Sequence, residues 1–365
     1  MKLCSITLRI RLAYISLPLL IAFSCNKKYS ALTPTAPAVT TRPLTNITAS
    51  SVTTGGTILT NGNDAIILSG IVWSKTNTTP TISDSVIAGS NSSGSFTTNL
   101  TGLDFNTAYY IRAFAINSVG AGYGDVVRLN TANDTSKVRF TYNGREVVYG
   151  IIVSPVTGKK WLDRNLGATQ VATSYDDYKA YGDLFQWGRP ADGHQLMNWT
   201  ASRAGTPVNG TTTVLATSDT PGDSNFIISP FTSTSQWDWR SDNNSNRWTT
   251  NPQGPCPAGW RVPTKAEWLA EVSKIRGGTA SSGGITDYRS GYSQLKLTVS
   301  GLRYVDGPGA VNFYQVGNSG HFWSTSSQFN YDGYSDVGVV EVGPDYVQQW
   351  AEAKSSGLCI RCLIN

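Results

Sequence analysis

A cysteine opening the segment CPAGWRVPTKAEW at Cys256, matched by two cysteines in the terminal GLCIRCLIN, constrains this chain more than any other feature. Gly and Pro punctuate the first segment as a turn leading into a helix, and the second alternates like a strand. A covalent link between them closes a loop of roughly a hundred residues, for which the chain-entropy model gives about 4–5 kcal/mol. Such a bond persists only in an oxidising compartment.

The N-terminus supplies that compartment. Lys2, Arg9 and Arg11 precede an apolar stretch from Leu12 to Phe23, followed by Ser24 and Cys25. The stretch is too short for a membrane span, which needs roughly 20 residues, so residues 1–24 read as a cleaved secretory signal. A small residue just before a cysteine resembles the bacterial lipobox, which makes Cys25 the expected lipid-bearing first residue of the mature protein. Loss of the segment removes three basic residues and no acidic one, so the formal charge of +5 falls to about +2. A balance that small argues against a nucleic-acid partner.

Cys256, Cys359 and Cys362 then remain for the folded part. Cys359 and Cys362 are three apart and point to opposite faces of a strand, so only one can meet Cys256. The expected pair is Cys256 with Cys362, leaving Cys359 free and buried. A zinc or redox reading of the CxxC finds little support: there is no second CxxC, and His194 and His321 are the only histidines.

Residues 25–36 are polar and Pro-containing, the composition of an extended tether. From 37 to 132 the chain turns to short Thr-, Ser-, Gly-, Val- and Ile-rich runs broken by NG, GG and TG turns, the pattern of an all-β sandwich. In AYYIRAFAIN, Tyr109, Ile111, Ala113 and Ala115 alternate with Tyr110, Arg112, Phe114 and Ile116, giving one face to bury and one mixed face. The stretch LTGLDFNTAYYIRAFAINSVGAGYG resembles the fibronectin type III family, in particular the repeats common in secreted proteins of Bacteroidetes. That resemblance implies an immunoglobulin-like sandwich with Tyr109 at the tyrosine corner, used as a spacer or binding module.

A connector, NDTSK, leads to a second domain at 137–365, where ten of the eleven tryptophans lie. FTYNGREVVYGIIVSP predicts a hairpin turning at Asn143 and Gly144. YDDYKAYGDLFQWGR predicts a helix. TKAE, with Thr264 and Glu267, is a capping box, and places Trp268, Leu269 and Val272 on one face of a helix behind it. KKWLDRNLGA, YGDLFQWGR, CPAGWRVPTKAEW, the Trp-Ser of HFWSTSS and the closing GLCIRC resemble, in order, the Fibrobacter succinogenes major paralogous domain family. That resemblance implies an α+β C-type-lectin-like fold in which few helices and small sheets support long loops, with Arg361-Cys362 at the family's terminal cysteine position and Cys359 as an extra.

Long loops carrying function are expected in the insertion from Leu196 to Gly254. Trp199, Trp237, Trp239 and Trp248, with Asp242 and Asn243 among them, are the candidate ligand contacts: aromatic faces beside hydrogen-bonding groups suit a sugar or peptide. The plainer account is that a loop poor in aliphatic residues packs on its own tryptophans. Asp242, Asn244 and Asn246 make a D-x-N-x-N run, yet Arg247 stands where a calcium loop needs glycine and Gln253 where it needs glutamate. The EPN, QPD and WND motifs of calcium-dependent sugar-binding lectins are missing. Asp163, Arg164, Asp176, Asp177 and Asp183 are conceivable acid/base groups, but glycosidases need two carboxylates across a cleft. The related formylglycine-generating enzymes use a pair of reactive cysteines, which the expected bridge leaves incomplete.

The sequence therefore points to an outer-membrane lipoprotein, lipid-anchored at Cys25. In it a fibronectin type III spacer carries a non-catalytic C-type-lectin-like head for a glycan or surface protein, with no cofactor. A structural or assembly role with a protein partner is the alternative, and an enzyme related to the formylglycine-generating enzymes a second.

Overall fold

The computed structural model describes residues 33–89, 94–229, 237–242, 246–251, 253–275, 292, 294–305, 311–326, 329–331, 334–343 and 347–365. The signal segment, Cys25, Asn243 and Asn244 lie outside the described residues. The chain divides into two units between Asn133 and Asp134, and strands far outnumber helices among the described residues.

The first unit is a β-sandwich. Its strands are β1 (Ala38–Thr41), β2 (Ser51–Thr60), β3 (Leu68–Ser74), β4 (Ser85–Ala88), β5 (Ser95–Thr101), β6 (Ala108–Ile116), β7 (Ala121–Tyr123) and β8 (Val127–Asn130). One antiparallel sheet has the order β1-β2-β5; the other runs β4-β3-β6-β7, with β8 also on β6. The alternation of β6 decides what is buried: Tyr109, Ile111, Ala113 and Ala115 join Val52, Ile71 and Leu100 in the core between the sheets. Phe114, on the opposite face, is buried as well. It stands directly opposite Gly70, whose missing side chain makes room for the ring. The Tyr109 hydroxyl accepts the backbone N–H of Asp104 at 2.8 Å, tying the preceding loop to the sandwich as the corner position implies.

The second unit opens with the hairpin of β9 (Lys137–Tyr142) and β10 (Arg145–Val153), then β11 (Lys160–Leu162). Asn143 and Gly144 hold φ of 48° and 72°, the left-handed pair a tight two-residue turn requires. There follow β12 (Phe185–Gln186), β13 (Met197–Ala201), β14 (Ala204–Pro207), β15 (Thr211–Thr212), β16 (Phe226–Ile227), α1 (Arg247–Thr250), β17 (Trp260–Arg261) and α2 (Lys265–Ile275). The last strands are β18 (Leu302–Val305), β19 (Val311–Tyr314), β20 (Gly320–Trp323), β21 (Phe329–Tyr331), β22 (Tyr334–Val342), β23 (Val347–Glu352), β24 (Gly357–Leu358) and β25 (Leu363–Ile364).

Helix α2 starts where the capping box sets it. The Glu267 carboxylate accepts the Thr264 N–H at 2.9 Å and the Thr264 hydroxyl accepts the Glu267 N–H at 3.2 Å. Trp268 and Val272 are buried on its inner face, with Leu269 half-buried beside them. The helix expected over YDDYKAYGDLFQWGR does not form. Only the single 3-10 turn Tyr178–Ala180 appears, because Gly182 takes φ of 76° and lies so near the Leu166 carbonyl that a Cβ would meet it at 2.4 Å.

The terminal segment holds the unit together. β24 lies between β12 and β18, and β25 between β17 and β11, so one short stretch completes two sheets. Cys256 and Cys362 are disulfide-bonded across a sequence separation of 106, and Cys359 is free and buried. Between them Arg361 is fully buried, donating to Asn165 Oδ1 and to the carbonyls of Leu162, Leu295 and Lys296.

Candidate functional site

Of the tryptophans expected to face a ligand, Trp239 and Trp248 are corrected to core positions. Trp239 is 0% exposed with its indole N–H on the Trp187 carbonyl at 2.7 Å. Trp248 is 2% exposed with its ring 5.6 Å from that of Trp187. Trp248 belongs to the main core of the unit with Leu162, Trp187 and Trp323, and Trp239 packs with Ala216 and Ile227. Trp237 is half-buried at φ 59°, a conformation that costs a non-glycine residue about 1 kcal/mol, and its carbonyl takes the Ser355 N–H. Asp242 pairs with Arg240 at 2.6 Å. Among the described residues no group of three or more His, Cys, Asp or Glu could hold a metal ion.

Trp199 has a different role. Its N–H donates to the Gly182 carbonyl at 2.6 Å, and its ring stacks edge-on against Tyr181 and lies 6.2 Å from Phe313. It also covers Gly205 on the facing strand, where a Cβ would meet the indole at 2.3 Å. The half-buried indole thus fixes the β13–β14 hairpin to the unit.

Beside the hairpin lies an open groove of about 380 Å³, lined by Thr200, Arg203, Thr206, Phe313, Gln315 and Asn318 together with Ala204, Gly205 and Val316. Arg203 donates to Asn318 Oδ1 at 3.3 Å across it. Gly317, at φ 79°, sits under the hairpin tip, where a Cβ would meet the Ser202 carbonyl and the Arg203 side chain at 2.7 Å. Phe313 is 38% exposed and Tyr314 beyond it 48%. Hydroxyls, two amides, a guanidinium and one aromatic face in a groove of this size are the ingredients of a small polar-ligand site. A second groove of about 320 Å³ runs along Tyr142, Val147, Val148, Tyr149, Arg164 and Thr169. Its polar groups are committed: the Tyr149 hydroxyl bonds Ala168 and Gly167, and Arg164 lies over the Tyr149 ring.

The conceivable acid/base groups are held in structural bonds. Asp163 accepts from Arg164 and from the Gly150 N–H. Asp177 caps the 3-10 turn, and Asp176 accepts from the Ser174 hydroxyl. Asp183 is buried, accepting from the Tyr142 hydroxyl at 2.7 Å and the Met197 N–H at 2.9 Å, and burial raises its pKa to about 6. Cys359 lies between the Ser300 hydroxyl and the Tyr181 carbonyl, and burial pushes its thiol up to about 12, far from a reactive thiolate.

Both histidines are buried. His194 Nε2 accepts the Gln186 N–H, so its proton sits on Nδ1 against Asp192 at 2.6 Å. Burial lowers the pKa of His194, and that of His321, to about 4. A base depressed from 6.5 contributes stability that is present above pH 6.5 and lost as pH falls through about 4, on the order of 3 kcal/mol for each histidine. Asp183 acts in the opposite sense: raised from 3.8, it contributes stability below pH 3.8 that is lost as pH rises through about 6. The histidines win, and acidification from pH 7 to 4 is expected to lower the stability of the second unit by about 3 kcal/mol. Urea midpoints equal at pH 7 and pH 4 would overturn this balance.

Sequence reasoning located the insertion but missed Arg203, Phe313 and Asn318. The one available signal was the alternation in VNFYQVG, which puts Phe313 on the face of β19 opposite Tyr314.

No family model and no curated protein matches this chain. Among solved structures it is similar to domains A168–A170 of titin, at 18% identity over 27% of this chain and 32% of that one, with a TM-score of 0.20. It is also similar to a fibronectin type III domain derived from human KIAA0970 protein, at 12% identity over 27% and 77%, TM-score 0.20. The sensor domain of the anti-sigma factor RsgI4 in Pseudobacteroides cellulosolvens shows 13% identity over 28% and 100%, TM-score 0.22. Likenesses at these scores carry no argument about function.

Proposed function

We propose that this chain is a cell-envelope lipoprotein, anchored through Cys25 on the outer membrane, with a non-catalytic binding head on a fibronectin type III spacer. The head has a C-type-lectin-like fold and takes a glycan or a glycan-bearing surface protein. Short helices, small sheets, long loops and a last strand returning beside the early strand β11 support that fold. The observation that carries the reading is the groove between the β13–β14 hairpin and Phe313, where a ring face stands among Arg203, Asn318, Thr200 and Thr206. Sugars are held by that combination: C–H groups against an aromatic face and hydroxyls on fixed polar groups. The groove takes over the role that the sequence gave to Trp239 and Trp248.

The test is binding of the soluble protein from Asn26 onward to a broad glycan array, with and without calcium, beside Phe313→Ala and Arg203→Ala. Selective binding that falls about tenfold or more in either variant is the expected result. Uniform silence from the folded protein, or binding indifferent to both substitutions, would remove the groove from consideration.

A further inference from the structure

Among the described residues of the second unit, Arg189, Arg247, Arg303 and Arg361 are all buried. Arg361 is saturated with carbonyl and amide acceptors. Arg189 bonds Asp192, Gln186 Oε1 and the carbonyls of Asn225 and Asp223. Arg247 is paired with Asp238 at 2.5 Å through Nη2, while its Nε and Nη1 are covered without an acceptor. Arg303 differs from the other three in having no acceptor for any of its guanidinium nitrogens. It is 3% exposed, yet its side chain enters no hydrogen bond or ion pair, and its Nε is sealed from water without an acceptor. Burial alone depresses its pKa, to about 10, with no acidic group acting on it.

The surroundings give the site a shape. The guanidinium lies over the Phe226 ring, its carbon 3.8 Å from the ring centre. Across the ladder stands Gly357, where a Cβ would meet Phe226 at 3.0 Å and Arg303 at 3.2 Å, so the wall is bare backbone. Nε is the only guanidinium nitrogen that is both covered and unbonded, which leaves the Nη edge as the open end of the fork. A guanidinium brought out of water with no acceptor is an unfavourable arrangement that an incoming anion relieves. A planar fork held over the face of an aromatic ring matches the two coplanar oxygens of a carboxylate.

We infer that Arg303 is a carboxylate-binding subsite, and that the head selects acidic sugars of the uronate class. Arg303 stands directly opposite Phe313 in the β18–β19 pairing, so both side chains leave the same face and the subsite adjoins the groove. The sugar identity rests on the groove being the ligand site, whereas the carboxylate site stands on Arg303 alone.

The experiment follows the Arg303 Nε–H signal by NMR in the soluble protein from Asn26 onward, titrated separately with glucuronate, acetate, glucose and sulfate. Thermal shifts of Arg303→Gln and Arg303→Lys are measured under the same additions. A saturable Nε–H shift with glucuronate and acetate but not glucose is expected, with binding weakened about tenfold or more in Arg303→Gln and partly retained in Arg303→Lys. Because the signal is read in the unsubstituted protein, misfolding of a variant does not shelter the inference. An unmoved signal while glycan binding still depends on Phe313 overturns the inference and leaves the groove reading intact. A carboxylate-dependent shift with glycan binding indifferent to Phe313 does the reverse for the sugar identity. An equal response to sulfate overturns selection of a carboxylate.

Discussion

Replacing Cys256 and Cys362 together by alanine lowers the stability of the second unit by about 2–5 kcal/mol. The bond spans a sequence separation of 106, so its loss releases a long stretch of the unfolded chain. It also joins the turn before β17 to the strand that completes two sheets, so the frayed end takes β24 and β25 with it. Ten of the eleven tryptophans lie in this unit, so their fluorescence during urea unfolding follows it with little contribution from the sandwich. The midpoint of that transition falls with the double substitution, and reductant added to the unsubstituted protein shifts it in the same direction. Identical midpoints with and without reductant would show that packing alone fixes the terminal segment.

A second large effect is expected at Asp238. Its carboxylate is fully buried between Arg247 at 2.5 Å and Lys354 at 3.6 Å, with both cations' side chains almost wholly covered. Arg247 lies against the faces of Trp187 and Trp239, and Lys354 over Trp187. The aromatic faces supplement the single negative charge by attracting both cations. Asp238→Asn keeps the shape and removes the carboxylate charge that faces both buried cations, at a cost of about 3–5 kcal/mol. Adding Lys354→Met recovers part of that loss, because one of the two positive charges facing Asp238 is gone. A double variant no more stable than Asp238→Asn would place the loss in hydrogen bonding rather than in charge.

What could be read in the sequence was local chemistry. The turn at Asn143-Gly144 announces itself because the backbone needs left-handed residues there, and the capping box at Thr264 because its two bonds are three residues apart. Strand β6 was legible through its period of two. The pairing of Cys256 with Cys362 followed from the opposite faces of the terminal strand and from the resemblance of Arg361-Cys362 to a family ending. The tryptophans were misjudged for a reason local pattern does not carry: whether a ring faces water depends on what arrives from elsewhere in the chain. Trp239 is covered because Trp187 meets it from a segment 52 residues away, with Arg247 over its ring. Arg303 was invisible for the same reason, since an arginine between Leu302 and Tyr304 looks like an outward residue until Phe226 and Gly357 close around it. The groove needs the hairpin tip at Arg203 to press on Gly317, more than a hundred residues away, and no periodicity records that contact.

The indoles carry one further consequence. Trp187 donates to the carbonyl of Ser324, Trp199 to Gly182, Trp239 to Trp187, Trp268 to Trp323 and Trp323 to Phe185. All five acceptors are main chain, and every amino acid offers the same carbonyl; Trp161, which donates to the Glu271 carboxylate at 3.0 Å, departs from this pattern. Side chains in the anchored segments can therefore be exchanged without dissolving the anchors, which frees selection to rewrite the surface of this head while its frame stays put.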